Sequence, residues 1–515
     1  MSRTQAYHDS YYTEQDYKQI TEQLPAIIKD AERKAAEVLE PTIHEKLKVM
    51  EVIKKFIREK NRKVYGGTAI NEVIKAVNED DAIYEETLFS DIEFYSPTPV
   101  VDLVELTNIL YKEGFKHVQG KEAQHEESYT IFVNFQLYCD ITYTPTRVYH
   151  GIKTIQIDGI SYADPHFLFI DQLRQINDPI NAASQRWEKT FKRMYKLIKN
   201  YPLEYDDKAI QMPRVSEETR SYIGKIKTQF LAIPQIQQSC FINGFEAYNF
   251  YIRHAYQDRD VEKPARIAKG TKNMEDMLVN VPYLEFTSVD YFNSVEKLYI
   301  LIKEIVPSSK QITLDEYFPL FQFVGRSVII NYNQIPLVKI IDASGYCIPT
   351  VKTTRGYMYV TYQYLLMTLL ISKFRSHLDK DREMYFNYRI AVSNLINARN
   401  LYLSRFDLPV INKSIFGEFR TACTGPTVSY NRTYMLRLFE KDKKGKRPRF
   451  LYTPESHFKQ SEENQAKFDP SRHFFRNTSG NKVTNPKNLI FKLNEKGDIQ
   501  KDTSEEGSED ADINA

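Results

Sequence analysis

Apolar residues recur along the first two hundred positions with two different periods, which predict where helices and strands lie. At 44–62 apolar side chains return every three or four residues, as on a helix with one face against a core. Short strand-like runs follow at 63–65, 88–95, 129–133 and 137–143, with helical periods between them at 68–77 and 100–114. This order predicts an α+β unit in which a small mixed sheet carries helices on one side.

A further segment, 182–200, has the helical period and two contrasting faces. The apolar stripe is predicted to be core, and consists of Trp187, Phe191, Met194, Tyr195 and Ile198. The basic stripe consists of Lys189, Lys192, Arg193 and Lys196. These cations either form ordinary solvated surface or face a triphosphate or RNA backbone.

The second half of the chain repeats letter patterns of the first half in the same order. YGGTAINEVI at 65–74 resembles NGFEAYNFYI at 243–252, and SDIEFYS at 90–96 resembles PYLEFTS at 282–288. IFVNFQLYCDIT at 131–142 is echoed by VIINYNQIPLVKII at 328–341. Three echoes in one order predict an internal duplication.

The second copy has lost acidic residues that the first copy carries. Tyr283 stands opposite Asp91, and Lys339, to within one residue, stands opposite Asp140. Glu285 remains opposite Glu93. One carboxylate cannot hold two divalent ions, so the second copy is predicted to be structural or RNA-binding.

Composition and charge narrow the class of protein. A chain of 515 residues is long enough for two to four domains, and a net charge of +2 does not by itself indicate a polyanionic partner. The acidic segment 500–514 is predicted to be disordered. The scattered positions of four cysteines predict neither a zinc site nor a disulfide framework. The scattered cysteines, together with the lack of a signal peptide and of a long apolar run, predict a soluble, reducing compartment and no membrane partner.

The candidate chemistry lies in the first copy. On an extended strand Asp91 and Glu93 point to the same side, and Asp140 lies on a second strand with the same pattern. Such oxygen-only sites suit two Mg²⁺ or Mn²⁺ ions. Gly66 and Gly67, between a strand and a helix, let a phosphate approach the helix N-terminus. An acidic pair alone usually marks an exposed face and a glycine pair a turn, but their conjunction with a third strand acid predicts phosphoryl or nucleotidyl transfer.

At these residues the chain resembles a known family. The glycine pair, the D-h-E-h strand and the later strand aspartate are similar to the DNA polymerase β-like nucleotidyltransferase superfamily. More narrowly, YGGTAIN, FSDIEFYS, YCDITY and FIDQLRQINDP resemble the poly(A) polymerase catalytic subunits of nucleocytoplasmic large DNA viruses, which include poxviral and giant-virus enzymes. The likeness is good over 63–201 and weak elsewhere.

The internal duplication and the resemblance together predict a fold and a domain order. The fold would be two tandem nucleotidyltransferase-like subdomains with small mixed sheets and flanking helices, after a helical N-terminal segment and before a disordered acidic tail. The expected domains are a helical segment 1–62, a catalytic domain 63–200, a degenerate second domain 201–405, a basic and aromatic region 406–490 and a tail 491–515.

The resemblance also implies the chemistry. It implies template-independent addition of AMP from ATP to an mRNA 3′ end, with two Mg²⁺ or Mn²⁺ ions, in the host cytoplasm (viral factory or virion). Asp91, Glu93 and Asp140 correspond to the metal-binding acids, and Asp140 to the activator of the 3′ hydroxyl. Gly66 and Gly67 correspond to the triphosphate loop. The expected ATP contacts also include Thr68, Ser90, Lys189, Lys192 and Arg193.

Two departures from the family pattern stand out. The spacer from Thr68 to Ser90 is 23 residues, longer than in cellular members, and the second acid is Glu93 rather than Asp. The long spacer favours a viral type of enzyme, and neither departure removes the metal site.

Several alternatives stay open at this point. The base could differ, as in a terminal uridylyltransferase or an oligoadenylate synthetase, or the chain could be a non-catalytic RNA-binding scaffold. RNA could stack on the aromatic and basic segments 444–452 and 472–482, which could equally be mobile loops. The partner could be a processivity factor of the cap-methyltransferase type or a second copy in a homodimer, joined through the N-terminal helices and the second copy.

Overall fold

Two mixed sheets, one in each half of the chain, organise the fold. The structure is a computed structural model. It describes residues 11–38, 42–84, 91–125, 127–180, 186–206, 208–256, 274–426, 432, 434–436, 439, 450–472, 478–494 and 498–501.

The first sheet has the strand order β16-β3-β4-β5-β2-β1-β7-β6. Its strands are β1 (Lys63–Tyr65), β2 (Ile92–Ser96), β3 (Gln119–Glu122), β4 (Ser128–Val133), β5 (Gln136–Tyr143), β6 (Thr154–Ile157), β7 (Ile160–Ala163) and the edge strand β16 (Leu451–Tyr452). The predicted strands at 63–65, 129–133 and 137–143 are therefore present.

The second sheet has the order β10-β11-β12-β9-β8-β14-β13-β15. Its strands are β8 (Cys240–Asn243), β9 (Leu284–Ser288), β10 (Ile312–Tyr317), β11 (Ser327–Tyr332), β12 (Ile335–Asp342), β13 (Ile348–Lys352), β14 (Met358–Val360) and the edge strand β15 (Cys423–Thr424).

Helices cover both sheets. Those before and within the first copy are α1 (Glu14–Val38), α2 (Ile43–Glu59), α3 (Gly66–Lys75), α4 (Pro99–Lys112), α5 (Thr146–Gly151), α6 (Pro165–Ile176) and α7 (Trp187–Asn200). The later helices are α8 (Glu217–Phe230), α9 (Pro234–Ser239), α10 (Gly244–Tyr256), α11 (Met274–Met277), α12 (Tyr291–Ile305), α13 (Tyr362–Leu378), α14 (Arg382–Arg405), α15 (Pro454–Phe458) and α16 (Glu462–Lys467).

The two sheets confirm the internal duplication. If β1 to β7 are matched to β8, β9, β10, β11, β12, β13 and β14, the strand order is the same in both sheets. The parallel pairs β2–β5 and β1–β7 recur as β9–β12 and β8–β14. Both long hairpins turn through two residues of positive φ, Asn134–Phe135 and Asn333–Gln334, as tight hairpins of this kind require.

A recurring asparagine shows why some letters survive in both copies. The side-chain oxygen of Asn71 accepts hydrogen bonds from the amides of Ile83 (2.8 Å) and Tyr84 (3.0 Å). Asn249, at the matching position, accepts from the amide of Val279 (2.9 Å) and donates to its carbonyl (2.7 Å). In each copy, the asparagine therefore fixes the segment between the helix and the next strand.

The buried face of α7 differs from the predicted stripe. Thr190, Met194 and Leu197 are buried, whereas Phe191 and Tyr195 are 49% and 61% exposed. The prediction that Phe191 and Tyr195 are core is wrong, because the helix packs through the neighbouring face. Residues 182–185 of the predicted helix lie outside the described residues.

The cysteines also differ from the prediction. Cys347 and Cys423, which are 76 residues apart in sequence, form a disulfide beside the β13–β15 pair. Cys139 and Cys240 are free and buried. The prediction of no disulfide is wrong, because strand pairing brings together cysteines whose spacing in the sequence carries no signal.

The C-terminal region is tied to the second copy. The strands β17 (Phe491–Leu493) and β18 (Ile499–Lys501) pair as a hairpin, so regular structure continues past residue 491, where the predicted tail begins. The buried carboxylate of Glu316 accepts hydrogen bonds from the amides of Ile490 (3.0 Å) and Phe491 (2.9 Å). Residues 502–515 and the basic segments 441–449 and 473–477 lie outside the described residues. No helix in the described ranges is long and apolar enough to cross a membrane.

Candidate active site

Two of the three predicted acids, Glu93 and Asp140, lie on adjacent parallel strands, and Asp91 immediately precedes the first of these strands. Ile92 and Phe94 on β2 are buried at 2% and 0% exposure, so Asp91 and Glu93 project from the opposite, accessible side. Glu93 on β2 and Asp140 on β5 are direct partners in the register. The structure thus places these carboxylates on one face, as the alternation in the sequence predicts.

The glycine pair is in direct contact with one of the acids. Gly66, with φ of +72°, begins α3, and a Cβ atom there would collide with the Glu93 carboxylate. The amide of Gly67 donates a hydrogen bond to Glu93 Oε2 at 3.1 Å. A negatively charged group is therefore already bound at the N-terminus of α3, the position expected for phosphate oxygens.

Burial and mutual repulsion make two of the acids weak. Burial, as the largest cause, and the negative charge of Asp91 together raise the pKa of Glu93 to about 7, while the hydrogen bond from the Gly67 amide opposes the shift. Burial raises the pKa of Asp140 to about 6, against the hydrogen bond that Thr130 donates to Asp140 Oδ1 at 2.7 Å. A cation at this position would relieve the repulsion.

This donor set fits divalent magnesium or manganese. All three side chains offer carboxylate oxygen, which hard cations prefer. Burial is the main cause of the raised pKa values of Glu93 and Asp140, and a bound cation would stabilise their charged forms. Within the described ranges no three acidic, histidine or cysteine side chains already converge on one point as a closed metal site. Glu93 is instead turned towards Gly67.

The basic stripe of α7 is divided by the structure. The Arg193 guanidinium donates to the Tyr84 hydroxyl and lies against Gly67, and Lys189 Nζ lies 5.6 Å from the centre of the Tyr84 ring. Lys192 is exposed on the helix surface. Lys196 binds the carbonyls of Asp81 (2.8 Å) and Ala82 (2.9 Å) and is structural.

The two remaining predicted neighbours have different outcomes. Thr68 Oγ1 donates to the carbonyl of Asp91 at 3.0 Å, so Thr68 orders the backbone of an acid. Ser90 lies outside the described residues.

Sequence reasoning missed three residues beside the site. Tyr84 lies over Gly67, and no local pattern marks it. Thr130 pairs with Asp140 across the β4–β5 hairpin, and counting back from the turn would have found it. Tyr65 stacks on Tyr95 with ring centres 3.9 Å apart, beside the acids on the same face of the sheet.

The matching site of the second copy is closed. Lys339 pairs in register with Glu285, which aligns it with Asp140 and removes the one-residue uncertainty. Lys339 Nζ lies 2.8 Å from Glu285 Oε2, so an ammonium group neutralises the remaining acid. Phe245 replaces Gly67, and its ring stacks on Tyr388 with centres 5.3 Å apart. This arrangement confirms that the second copy lacks the acids of a catalytic site.

Two family models match the chain. Residues 51–182 match "Poly(A) polymerase catalytic subunit", and residues 217–493 match "Putative poly(A) polymerase, catalytic subunit, C-terminal". The first match contains Gly66, Gly67 and the three acids. The second match contains the degenerate copy and the β17 strand.

Individual relatives agree with these matches. A protein of Acanthamoeba polyphaga mimivirus, "Putative poly(A) polymerase catalytic subunit", is 54% identical over 98% of this chain and 88% of its own length. A protein of African swine fever virus with the same description is 28% identical over 32% of this chain and 37% of its own.

A solved structure is also similar over nearly the whole chain. The crystal structure of the Megavirus polyadenylate synthase superimposes with a TM-score of 0.90 at 56% identity, and covers 96% of this chain and 97% of that one. The similarity between the two structures spans both sheets. The chain therefore belongs to the family of poly(A) polymerase catalytic subunits, which are nucleotidyltransferases.

Proposed function

We propose that this enzyme transfers AMP from ATP to an RNA 3′ hydroxyl at Asp91, Glu93 and Asp140, with two Mg²⁺ or Mn²⁺ ions held by these acids. The observation that carries the proposal is the register pair Glu93–Asp140 beside a glycine turn at a helix N-terminus. Two bound ions would supply Lewis acidity at the attacking and leaving oxygens.

The protein's own groups divide the remaining work. The Gly67 amide and the N-terminus of α3 bind a phosphate oxygen once Glu93 turns away from them. Arg193 and Lys189 offset the charge of the triphosphate. The Asp140 carboxylate accepts the proton of the RNA 3′ hydroxyl.

The test is extension of a labelled RNA primer with each of the four nucleoside triphosphates, with Mg²⁺ or Mn²⁺. Long tails from ATP alone, lost in Asp91→Ala/Glu93→Ala, would support the proposal. The matched control is Glu285→Gln/Lys339→Met in the second copy, which should keep full activity. Equal use of UTP would contradict the choice of adenine, and activity in the first variant would contradict the site.

For the protein partner we propose a second copy of this chain. The side chains of helix α1 from Tyr17 to Lys34 are exposed, and apolar residues among them follow a seven-residue repeat. They are Tyr17, Ile20, Leu24 and Ile27, which are 68%, 41%, 44% and 55% exposed. A matching helix would cover this stripe, whereas a separate processivity factor of the cap-methyltransferase type is the alternative outcome.

We propose the host cytoplasm, in a viral factory or virion, as the location, on the basis of the viral relatives. Because reducing compartments such as the cytoplasm seldom maintain disulfides, the redox state of the Cys347–Cys423 pair must be measured together with the location. Fractionation of infected cells, with thiol trapping during lysis, would test the location and the redox state together.

A further inference from the structure

Tyr84 lies at the entrance to the glycine turn and contacts two cations of α7. Its hydroxyl accepts a hydrogen bond from the Arg193 guanidinium. Its ring lies 5.6 Å from Lys189 Nζ and 5.8 Å from Arg193 Cζ, within the range of cation–π attraction. A Cβ atom on Gly67 would lie 2.6 Å from the Tyr84 hydroxyl. Tyr84 and Arg193 together therefore bound the space above Gly67.

The backbone of Tyr84 is fixed from two sides. Its amide donates to Asn71 Oδ1 of α3 at 3.0 Å. The preceding residues are held by α7, where Lys196 binds the carbonyls of Asp81 and Ala82, and Lys199 and Asn200 bind the Asp81 carboxylate. The ring therefore has a defined place relative to both the glycine turn and the cations.

In the second copy, the space that corresponds to the one above Gly67 is filled by an aromatic side chain. Phe245 fills the position of Gly67 and stacks on Tyr388 of α14, the helix that corresponds to α7. An apolar contact thus closes the second copy. In the first copy the same space has no side chain at Gly67 and is bordered by a hydroxyl and a guanidinium.

We propose that Tyr84 is a positioning residue for the donor triphosphate, and that it holds Arg193 and Lys189 where they meet the phosphate oxygens at the N-terminus of α3. This role rests on the proposed function of the site. The phenol fixes the direction of the guanidinium fork, which matters because Arg binds phosphate through several donors in fixed geometry. The ring also limits the freedom of the Lys189 ammonium.

The test uses the full-length enzyme and the variants Tyr84→Phe and Tyr84→Leu. Loss of one hydrogen bond should raise the KM for ATP by about three- to tenfold, with kcat within about twofold of the parent. Tyr84→Leu should raise KM further, because it also removes the ring. Tyr195→Phe, an exposed tyrosine on the same helix, is the matched control and should behave as the parent.

Two further measurements separate positioning from folding and from the reaction itself. Calorimetric binding of inorganic tripolyphosphate with excess Mg²⁺ should weaken by the same factor in Tyr84→Phe, and this readout needs no turnover. In an Arg193→Ala background, Tyr84→Phe should have a clearly smaller effect, since the hydroxyl has lost its partner.

Three results would overturn the proposal. They are unchanged KM and tripolyphosphate affinity in both Tyr84 variants, an undiminished effect of Tyr84→Phe in the Arg193→Ala background, or a loss confined to kcat. A parent that binds tripolyphosphate but extends no primer would count against the proposed function while the Tyr84 comparison still stands.

Discussion

At the scale of single residues, Glu93 and Asp140 lower the free energy of unfolding when they are ionised, because burial disfavours their charged forms. Glu93 and Asp140 are acids in a partly buried place with raised pKa values and a third acid, Asp91, nearby. Nothing in the hydrophobic pattern requires acids here. Buried acids with raised pKa values are typical of functional sites.

The first prediction concerns Glu93→Gln. Glu93 binds its proton more tightly in the folded state, so its contribution to the free energy of unfolding is largest at low pH and falls as pH rises from about 4.5 to about 7. Glu93→Gln should abolish primer extension and remove this fall, which makes the variant more stable than the parent at pH 8 by on the order of 3 kcal/mol.

The measurement is urea unfolding at pH 5 and pH 8 in EDTA. Glu51→Gln, an exposed acid on α2, is the control and should follow the parent. A Glu93→Gln variant that is less stable than the parent at pH 8 would contradict the electrostatic account.

At the scale of elements, two strand pairs of the same design carry opposite chemistry. The β2–β5 pair presents Glu93 beside Asp140, and the β9–β12 pair presents Glu285 beside Lys339. The proposed metal site and the observed ion pair are thus two ways to neutralise the same strand position. The ion pair needs no ligand.

The second prediction concerns Lys339→Met. This change leaves the Glu285 carboxylate buried without its counter-ion and should lower the free energy of unfolding by about 3–5 kcal/mol. Glu285→Gln/Lys339→Met should recover most of that loss. Urea unfolding measures both effects, and primer extension per folded molecule should stay at the parent value. A loss of activity in the double variant would mean that the second copy takes part in catalysis.

At the scale of the whole molecule, a segment held by a disulfide lies between the second copy and helix α7. Cys423 lies near the end of the segment 406–426, whose Phe419 ring lies 5.9 Å from Trp187 and 5.5 Å from Phe191. Glu418 of the same segment pairs with Arg399 of α14. The segment therefore contacts both the second copy and α7.

The third prediction concerns Cys423→Ser. Opening a loop of this length should lower the free energy of unfolding by about 4 kcal/mol, and proteolysis should cut 406–426 sooner. Reduction of the parent with dithiothreitol should have the same effect and should change nothing in Cys347→Ser/Cys423→Ser. Equal proteolysis of the oxidised and reduced parent would show that the disulfide does not order this segment.

The fourth prediction concerns assembly. Ile20→Asp/Ile27→Asp places charges in the exposed stripe of α1 and should convert a dimer into a monomer in sedimentation velocity. Glu22→Lys, on the opposite face of α1, is the control and should keep the dimer. A parent that sediments as a monomer would favour a separate partner for this helix.

The sequence by itself determined the features that depend on near neighbours. The two-residue period placed Asp91 and Glu93 on one face, the glycine pair marked a helix start beside them, and three letter echoes revealed the duplication. These signals are local, because strand alternation and the freedom of Gly66 follow from the backbone itself. The face that carries the proposed catalytic acids could therefore be predicted without the fold.

Only the tertiary structure decided the features that depend on distant contacts. It placed Tyr84 over Gly67, paired Lys339 with Glu285, and joined Cys347 to Cys423. It also exposed Phe191, because the choice between adjacent faces of α7 depends on what the rest of the chain brings against it. These partners lie 17, 54 and 76 residues apart, and local periodicity has no information on which distant side chains the folded chain brings together.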